Sequence, residues 1–272
     1  MPPTKRNPTQ TYTDLCRSEW DLRAVERFRT EGWFLVDQVF TADECNEMTA
    51  LLESTSFELA LGRPEDGQLS YRPMLHTANA ELQRWCSDPR WADLVLPLLG
   101  DSARLFWEQG VAKPPQARTE LPWHQDSGYT PTVPEEYVTC WLALDDAVEA
   151  NGCLWVQPRS HERGRQPHHS SESFGAFRVG YDGDDAGTAV PVGKGSVLVF
   201  SSLLLHRSGP NTTDSARRAW IIQFCPADAV SALSGKPLDD RLLVATGGRW
   251  LDEPVREREL DLLAILSNYD RA

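Results

Sequence analysis

The residues of this sequence with the clearest potential for chemistry are His124 and Asp126, in the stretch LPWHQDSGYTP. Residues i and i+2 of a β-strand project from the same face, so a strand here would bring an imidazole and a carboxylate to one point. A second imidazole, His206, lies much later in the chain, at the end of the apolar run in LLLHRSGPN. Two close ligands and one distant histidine are typical of a facial triad, which holds one side of Fe(II) and leaves the other open. The spacing therefore predicts a metal site at His124, Asp126 and His206.

Other interpretations of these residues stay open at this level. A histidine two positions before an aspartate also occurs by chance, and such a pair can act as a general acid and base. His206 could instead be a buried histidine that donates to a backbone carbonyl group. A further residue with a defined part in iron chemistry would favour the metal site.

Arg217, which opens the strand-like run RRAWIIQF, is such a residue. Non-haem iron held by a facial triad often works with 2-oxoglutarate, whose distal carboxylate needs a partner. A guanidinium group binds a carboxylate with two parallel hydrogen bonds, which lysine cannot do. Ser208, two residues after His206, could add a hydroxyl donor on the same face. Because strand alternation turns only one of two neighbouring side chains inward, we expect Arg218 to face solvent.

The elements that must position these residues change in character near residue 102. Before it, amphipathic patterns predict helices, and one of them opens with Thr41 and Glu44 as a capping box. After it, short apolar runs alternate with turn signals such as EANG, YDGDDAG and GPNTTD, which predicts many strands. Short strands at close spacing are typical of a sandwich, jelly roll or barrel. We predict a mainly β protein with flanking helices on one outer face and a double-stranded β-helix core, the cupin-like jelly roll.

This pattern also predicts how the chain is divided. We expect a mobile N-terminal arm followed by a single domain with a helical N-terminal part, a jelly-roll core and a C-terminal helical extension. The predicted bounds are 1–14 for the arm, 15–272 for the domain, and within it about 15–100, 102–226 and 228–272. The polar, turn-rich segment 160–186 is a candidate lid, because loops of this length are often functional.

Composition limits the classes of partner and the cellular compartment. The 272 residues carry a formal net charge of −13, which gives no broad positive surface for nucleic acid or an anionic membrane. Six scattered cysteines without a C-x-x-C pair indicate reduced thiols. The polar, proline-rich start does not resemble a signal peptide, and no apolar run is long enough to span a bilayer. We therefore expect a cytoplasmic protein that acts on a small molecule, and no pattern indicates an oligomeric state.

Three motifs in one order, WHQD, EANGCLWVQPRSH and HRSGPNTTDSARRA, resemble the phytanoyl-CoA dioxygenase (PhyH) family of Fe(II)/2-oxoglutarate-dependent oxygenases. The resemblance runs from about Gln109 to Pro226. It implies an oxidoreductase, a dioxygenase that uses iron, 2-oxoglutarate and O2 to oxidise an unactivated C–H bond. The iron ligands that it implies are His124, Asp126 and His206. The residues that it implies for 2-oxoglutarate are Arg217, Ser208, Trp141 and Gln109.

The same resemblance bears on the outcome of the reaction. Relatives that halogenate have a small residue in place of the carboxylate, so Asp126 implies oxygenation, most often hydroxylation. Desaturation, cyclisation and epimerisation use the same site and stay open. A cupin-like isomerase or hydrolase with Zn or Mn and no 2-oxoglutarate is an alternative, and a non-catalytic jelly-roll binding module is another. We expect the substrate to be a small specialised metabolite.

Several further residues have a part that the sequence does not define, or defines only as structural. Asn151 and Gly152 are typical of a tight turn before a strand. Five polar side chains and one tyrosine could be either structural or part of the site, and for most of them the structural interpretation is preferred. They are Lys113, Arg159, His161, Tyr71, Arg72 and His76.

Overall fold

Four α-helices and sixteen β-strands make up the described part of the chain, which is residues 20–55, 69–174 and 177–261 of a computed structural model. The helices are α1 (Trp20–Glu31), α2 (Ala42–Ser54), α3 (Ala80–Cys86) and α4 (Arg90–Leu99). All four lie in the predicted helical part. The N-terminal arm predicted for residues 1–14 lies outside the described residues.

The strands begin before the last helices and continue to the end of the described chain. The first eight are β1 (Trp33–Val36), β2 (Ser70–Pro73), β3 (Ala103–Lys113), β4 (Leu121–His124), β5 (Thr132–Val133), β6 (Val138–Ala143), β7 (Leu154–Val156) and β8 (His169–Ser170). The other eight are β9 (Arg178–Val179), β10 (Thr188–Val190), β11 (Val197–Ser201), β12 (His206–Ser208), β13 (Arg217–Pro226), β14 (Val230–Ser231), β15 (Leu242–Thr246) and β16 (Arg249–Val255).

Two antiparallel sheets form the centre of the fold. The large sheet has the order β1-β11-β6-β13-β3-β15-β16, with β2 paired to β3, and the small sheet has the order β10-β7-β12-β4. Apolar side chains of both sheets, such as Trp141 and Leu198 from the large one and Leu154 and Val156 from the small one, pack into one cluster. This arrangement is the predicted double-stranded β-helix, or jelly roll.

The large sheet is covered on both faces, and strand alternation assigns its residues to them. In β6, Cys140 and Leu142 pack on the outer face, whereas Trp141 and Ala143 face the small sheet. The outer cluster also contains Phe28 of α1 and other apolar side chains of the helices. The helices therefore pack on one outer face of the β-core, as predicted, and the other face is left for the site.

Local signals define the ends of two helices. The hydroxyl of Thr41 accepts from the backbone N–H of Glu44 at 3.2 Å, and the Glu44 carboxylate accepts from the Thr41 N–H at 2.8 Å. This reciprocal pair is the predicted capping box. Gly100 ends α4 with a φ of 96°, a conformation that favours glycine.

The C-terminal part differs from the prediction. The core strands β3 to β13 occupy 103–226, close to the expected core, but the helical extension expected for 228–272 is wrong for residues 228–261, which form β14, β15 and β16. Strand β15 pairs with β3 and β16 pairs with β15, so the tail extends the large sheet. Tertiary pairing with an edge that the rest of the chain supplies outweighs the local pattern here. The rest of the predicted helical extension, residues 262–272, lies outside the described residues.

Candidate active site

The three predicted metal ligands meet at one point between the sheets. Strands β4 and β12 are neighbours in the small sheet, and His124 lies directly opposite His206. The Asp126 Oδ1 atom lies 3.6 Å from Nε2 of His206 and 4.0 Å from Nε2 of His124. One potential ligand atom of each residue lies within 4.8 Å of the others. Among the described residues, this group therefore has the composition and spacing of a facial triad.

Asp126 reaches this point by a different route from the one predicted. Strand β4 ends at His124, and Asp126 begins a 3₁₀ turn, so the two residues do not share a strand face. The turn is tied to a later part of the chain, because both the backbone N–H and the hydroxyl of Ser127 donate to the carbonyl of Ser202 at 3.1 Å. His206 likewise begins β12 and does not end an apolar strand. The predicted convergence is present, but a long-range contact produces it.

Each histidine is held in the tautomer that a metal requires. Nδ1 of His124 lies 2.8 Å from the carbonyl oxygen of Pro122, and Nδ1 of His206 lies 3.0 Å from that of Leu204. A carbonyl can only accept, so Nδ1 carries the proton and Nε2 keeps its lone pair. Burial, with the nearby His206, lowers the pKa of His124 well below its usual value. Neutral imidazoles oriented by a backbone carbonyl are the form in which histidine binds metal ions.

The carboxylate of Asp126 is fixed by two side chains that the sequence interpretation did not identify. Its Oδ2 atom accepts from the Thr139 hydroxyl at 2.6 Å and from Nε2 of Gln223 at 2.9 Å. Thr139 and Gln223 are cross-strand partners on β6 and β13. With Oδ2 occupied in this way, Oδ1 is the atom left to bind a metal. Strand alternation contains a signal for both, since Thr139 lies two positions from Trp141 and Gln223 lies six from Arg217.

A cavity of about 500 Å³, counted with its open mouth, lies beside the three ligands and is called the inner cavity here. Every residue that the sequence resemblance assigned to the cosubstrate lines this cavity. These residues are Arg217, Ser208, Trp141 and Gln109. The structure therefore brings the predicted ligands and the predicted cosubstrate contacts to one place.

Arg217 is a buried guanidinium without a carboxylate partner among the described residues. Its side chain is 1% exposed, Nη2 donates to the carbonyl of Gly152 at 2.9 Å, and Nε has no hydrogen-bond partner. Its Cζ atom lies 5.5 Å from the ring centroid of Trp141. Burial lowers its pKa to about 10, so the group still carries its charge at neutral pH. A buried cation without an anion is costly, and a carboxylate ligand would remove that cost.

The neighbouring arginine shows the ordinary alternative. Arg218 points to the other side of β13, where it forms ion pairs with Asp145 at 2.7 Å and Glu53 at 2.9 Å. Alternation along the strand therefore separates a partly exposed, paired guanidinium from a buried, unpaired one, as predicted. The donor set fits the expected groups: two imidazoles that present Nε2 and a carboxylate suit Fe(II), and Arg217 suits the far end of a keto diacid.

A second space, called the outer cavity, meets the inner one at His124 and Asp126. It measures about 410 Å³ with its open mouth and shares Tyr71, Gln109 and Leu121 with the inner cavity. Its other walls are Trp107, Tyr129, Thr130, Tyr137, Phe177 and Gln223. A larger cavity of about 830 Å³ borders Trp107 and Thr130 and contains none of the three ligands. We therefore assign the reacting part of a substrate to the outer cavity.

The residues whose part the sequence left open lie partly at the site and partly in the scaffold. Tyr71 lines both cavities. Lys113 is fully buried, with Nζ donating to the backbone carbonyls of Thr119, Ser208 and Gly209, so it supports the loop and does not line a site cavity. The guanidinium of Arg72 donates to backbone carbonyls beyond the C-terminal end of α2 and within it. Both of these long cations therefore belong to the scaffold.

Three other residues also lie outside the two cavities. His76 pairs with Glu108 at 3.0 Å on the helix-covered side. Nε2 of His161 lies 3.1 Å from the carbonyl oxygen of Arg29, and Arg159 pairs with Glu162 in solvent. The predicted turn at 151–152 is present: Gly152 has a φ of 82°, and a Cβ there would lie 2.5 Å from the carbonyl oxygen of Gly209.

The segment 160–186, the candidate lid, is packed against the end of β4. Nε2 of His168 accepts from the backbone N–H of Gln125 at 2.9 Å, and the side-chain oxygen of Gln125 accepts from the N–H of Gln166 at 2.7 Å. The N–H of Gly180 donates to the carbonyl of Trp123 at 2.7 Å. These contacts place Phe177 on the wall of the outer cavity.

Together, the two sheets define a cupin-like double-stranded β-helix, and between them lies a group of two histidines and one aspartate that could hold a metal ion. The chain belongs to the phytanoyl-CoA dioxygenase (PhyH) family, whose model matches residues 28–219.

Curated relatives support this assignment over different lengths. The chain is 30% identical to mouse phytanoyl-CoA dioxygenase domain-containing protein 1 over 225 residues, which is 78% of this chain and 75% of that protein. It is 30% identical to human peroxisomal phytanoyl-CoA dioxygenase over 158 residues, 54% of this chain and 47% of that protein. The chain thus spans about half the length of the peroxisomal relatives that it matches.

A solved structure supports the fold. The non-heme alpha-ketoglutarate-dependent carbocyclase SnoK from nogalamycin biosynthesis aligns with a TM-score of 0.64 and 26% identity, over 79% of this chain and 92% of that one. Within the described residues, no helix is both long and apolar enough to cross a membrane.

Proposed function

We propose that this chain is an Fe(II)/2-oxoglutarate-dependent dioxygenase that oxidises an unactivated C–H bond of a small molecule, with hydroxylation as the preferred outcome. The proposal rests mainly on the environment of the Arg217 side chain. A buried, charged guanidinium that has no carboxylate partner among the described residues borders the same cavity as two imidazoles and a carboxylate. A metal isomerase or hydrolase that does not use 2-oxoglutarate would leave this costly group without a task.

Each residue of the site has a defined part in this proposal. His124 and His206 would hold Fe(II) through their Nε2 atoms, and Asp126 would hold it through Oδ1. Arg217 would bind the distal carboxylate of 2-oxoglutarate through two hydrogen bonds, with the hydroxyl of Ser208 as a further donor. When bound, Fe(II) and 2-oxoglutarate supply the oxidising chemistry, in which the keto acid is decarboxylated to succinate as O2 is reduced.

The protein groups around the cosubstrate orient it and limit water. The guanidinium of Arg217 lies over the ring of Trp141, and this ring forms part of the wall of the inner cavity. The Gln109 side chain stands where the two cavities meet, and its Oε1 accepts from Nε1 of Trp107 at 2.6 Å, which leaves Nε2 as a donor. The apolar side chains of the inner cavity, such as Leu154, Phe200 and Ile221, limit contact between the reacting groups and bulk water.

Asp126 favours oxygen transfer over halogenation, because the carboxylate occupies the position that a halide would need. The likeness to a carbocyclase keeps ring closure as a second outcome of the same site. The two outcomes differ in the product: hydroxylation adds one oxygen atom, whereas cyclisation or desaturation removes two hydrogens.

The proposal is tested with purified protein under nitrogen. Addition of Fe(II) and 2-oxoglutarate should give a weak absorption band near roughly 500 nm, a property of the iron–keto acid chelate. A panel of candidate substrates under air should then reveal one that stimulates succinate formation, with product mass read in the same samples. Absence of the band, or turnover that does not depend on 2-oxoglutarate, would contradict the proposal and favour a metal isomerase or hydrolase.

A further inference from the structure

The described walls of the outer cavity carry no ionised side chain other than the metal ligand Asp126. Five of the wall residues are aromatic, and the others are leucine, threonine, glutamine and the ligand histidine. The aromatic residues are Tyr71, Trp107, Tyr129, Tyr137 and Phe177. Aromatic walls bind flat or ring-shaped apolar groups well. The described walls offer an anion no protein cation, and the charge of a bound Fe(II) would already be offset by Asp126 and the two carboxylates of 2-oxoglutarate.

The polar tips of these aromatic residues already have partners within the protein. The hydroxyl of Tyr129 accepts from the backbone N–H of Arg178 at 2.7 Å, and the Tyr137 hydroxyl lies 3.0 Å from that of Thr130. Nε1 of Trp107 donates to Oε1 of Gln109, and the Tyr71 hydroxyl donates to the same atom. Burial raises the pKa of Tyr129 to about 12 and that of Tyr137 well above its usual value, so both hydroxyls stay neutral.

Gln223 differs from these residues because the nitrogen of its side-chain amide forms hydrogen bonds within the protein and the oxygen does not. Nε2 donates to Asp126 and lies 3.2 Å from the hydroxyl of Thr139. This orientation of the amide is required, since a carboxylate oxygen can only accept. Oε1 has no hydrogen-bond partner among the described residues, although the side chain is 4% exposed and borders the outer cavity. This carbonyl oxygen is therefore open to a hydrogen-bond donor of a molecule that enters the cavity.

From these contacts we propose that the substrate places an uncharged, ring-containing group in the outer cavity and donates a hydroxyl or N–H hydrogen bond to Oε1 of Gln223. Small inorganic anions and carboxylate-bearing groups are excluded from this position. The inference rests on the proposed function, because it takes the outer cavity as the place of the reacting group. It also links substrate binding to the metal site, since the amide that receives the substrate also holds Asp126.

Three bicyclic probes test the proposal without knowledge of the natural substrate. They are 2-naphthol, which can donate, 2-methoxynaphthalene, which cannot, and 2-naphthoate, which is an anion. Binding is measured by isothermal titration calorimetry on protein saturated with Fe(II) and 2-oxoglutarate under nitrogen. We expect 2-naphthol to bind about fivefold more tightly than 2-methoxynaphthalene, the usual worth of one hydrogen bond, and at least about tenfold more tightly than 2-naphthoate.

Two variants separate the proposed contact from general damage to the site. Gln223→Leu keeps the size of the side chain and should abolish the preference for 2-naphthol over 2-methoxynaphthalene. Thr139→Val also removes a donor from Asp126, but Thr139 does not border the outer cavity, so the preference should remain. The 500 nm band is recorded for each protein before titration.

Three results would overturn the inference: no binding of 2-naphthol to the wild type, binding of 2-naphthoate as tight as that of 2-naphthol, or a full preference for 2-naphthol in Gln223→Leu. If the wild type shows the band and one of these results, the substrate inference fails and the proposed function stands. If the band itself is absent, the proposed function fails, whatever the probes do.

Discussion

Within the described parts of the chain, two groups of potential metal ligands lie on opposite faces of the large sheet, and they differ in how many of their ligand atoms are free. On the helix-covered face, His76, Cys86 and Glu108 lie within ligand distance of one another. There, the Glu108 carboxylate accepts from Nδ1 of His76 at 3.0 Å and from Nε1 of Trp220 at 2.7 Å. Both of its oxygens are therefore occupied by protein donors.

On the face towards the small sheet, the internal hydrogen bonds leave ligand atoms free. Both histidines use Nδ1 for a backbone carbonyl, and Asp126 uses Oδ2 for two side chains, so two Nε2 atoms and one Oδ1 converge. A cavity lies beside them. The comparison shows that residue types within reach of one another do not define a metal site. Unused lone pairs directed at one accessible point do.

The largest difference between the two groups is expected in Fe(II) affinity, when one histidine of the group between the sheets is removed. His124→Ala should lower Fe(II) affinity by at least about a hundredfold, because one of three protein ligands is removed. The 500 nm band should disappear, while the melting temperature of the metal-free protein should stay close to that of the wild type. Equilibrium dialysis with metal analysis measures the affinity. Unchanged iron binding would mean that the three side chains do not form the site.

The matching change on the other face should act on stability and not on metal. Glu108→Ala leaves Nδ1 of His76 and Nε1 of Trp220 without their buried acceptor, which should lower the free energy of unfolding by about 3–5 kcal/mol. Urea denaturation measures this loss. The iron stoichiometry of the folded variant should remain that of the wild type. Loss of iron from a folded Glu108→Ala protein would show that the helix-side group also binds metal.

The next largest effect is expected on 2-oxoglutarate affinity, and it should separate the two neighbouring arginines of β13. Arg217→Ala should weaken 2-oxoglutarate binding by about 2–4 kcal/mol, because a charged, two-pronged contact is lost in a buried place. Arg217→Lys keeps the charge and should recover only part of the affinity. Arg218→Ala is the control from the same strand and should leave the affinity unchanged. Titration of the 500 nm band with 2-oxoglutarate measures all three, and equal effects at both positions would contradict the assignment of Arg217.

The difference between the two faces also explains how much the sequence could predict. The ligands and Arg217 stand in motifs with recognisable residue types, and the alternation of apolar residues placed Arg217 inside and Arg218 outside. The turn that carries Asp126 was not predictable, because its geometry depends on the carbonyl of Ser202, far away in the chain.

Two other features were missed for separate physical reasons. Thr139 and Gln223 are ordinary strand residues by type, and only their register opposite each other and beside Asp126 gives them a function. Strands β15 and β16 form because β3 offers an edge, and β14 pairs with β5, whereas the local pattern favoured a helix. Residue chemistry is therefore readable from sequence, but a residue that acts by holding another is recognised only once the strand pairing is known.

The smallest effect, and the finest test of the comparison, concerns the hydroxyl that holds Asp126. Thr139→Val keeps the shape of the side chain and removes the 2.6 Å hydrogen bond to Oδ2. Loss of a contact that orients a metal ligand should lower Fe(II) affinity by about tenfold, with the fold intact. Thr139→Ser restores the hydroxyl and should restore the affinity, a recovery that a general packing defect would not show. If Thr139→Val and Thr139→Ser bind iron equally well, the free Oδ1 atom does not depend on this hydrogen bond, and Gln223 alone would have to hold the carboxylate in place.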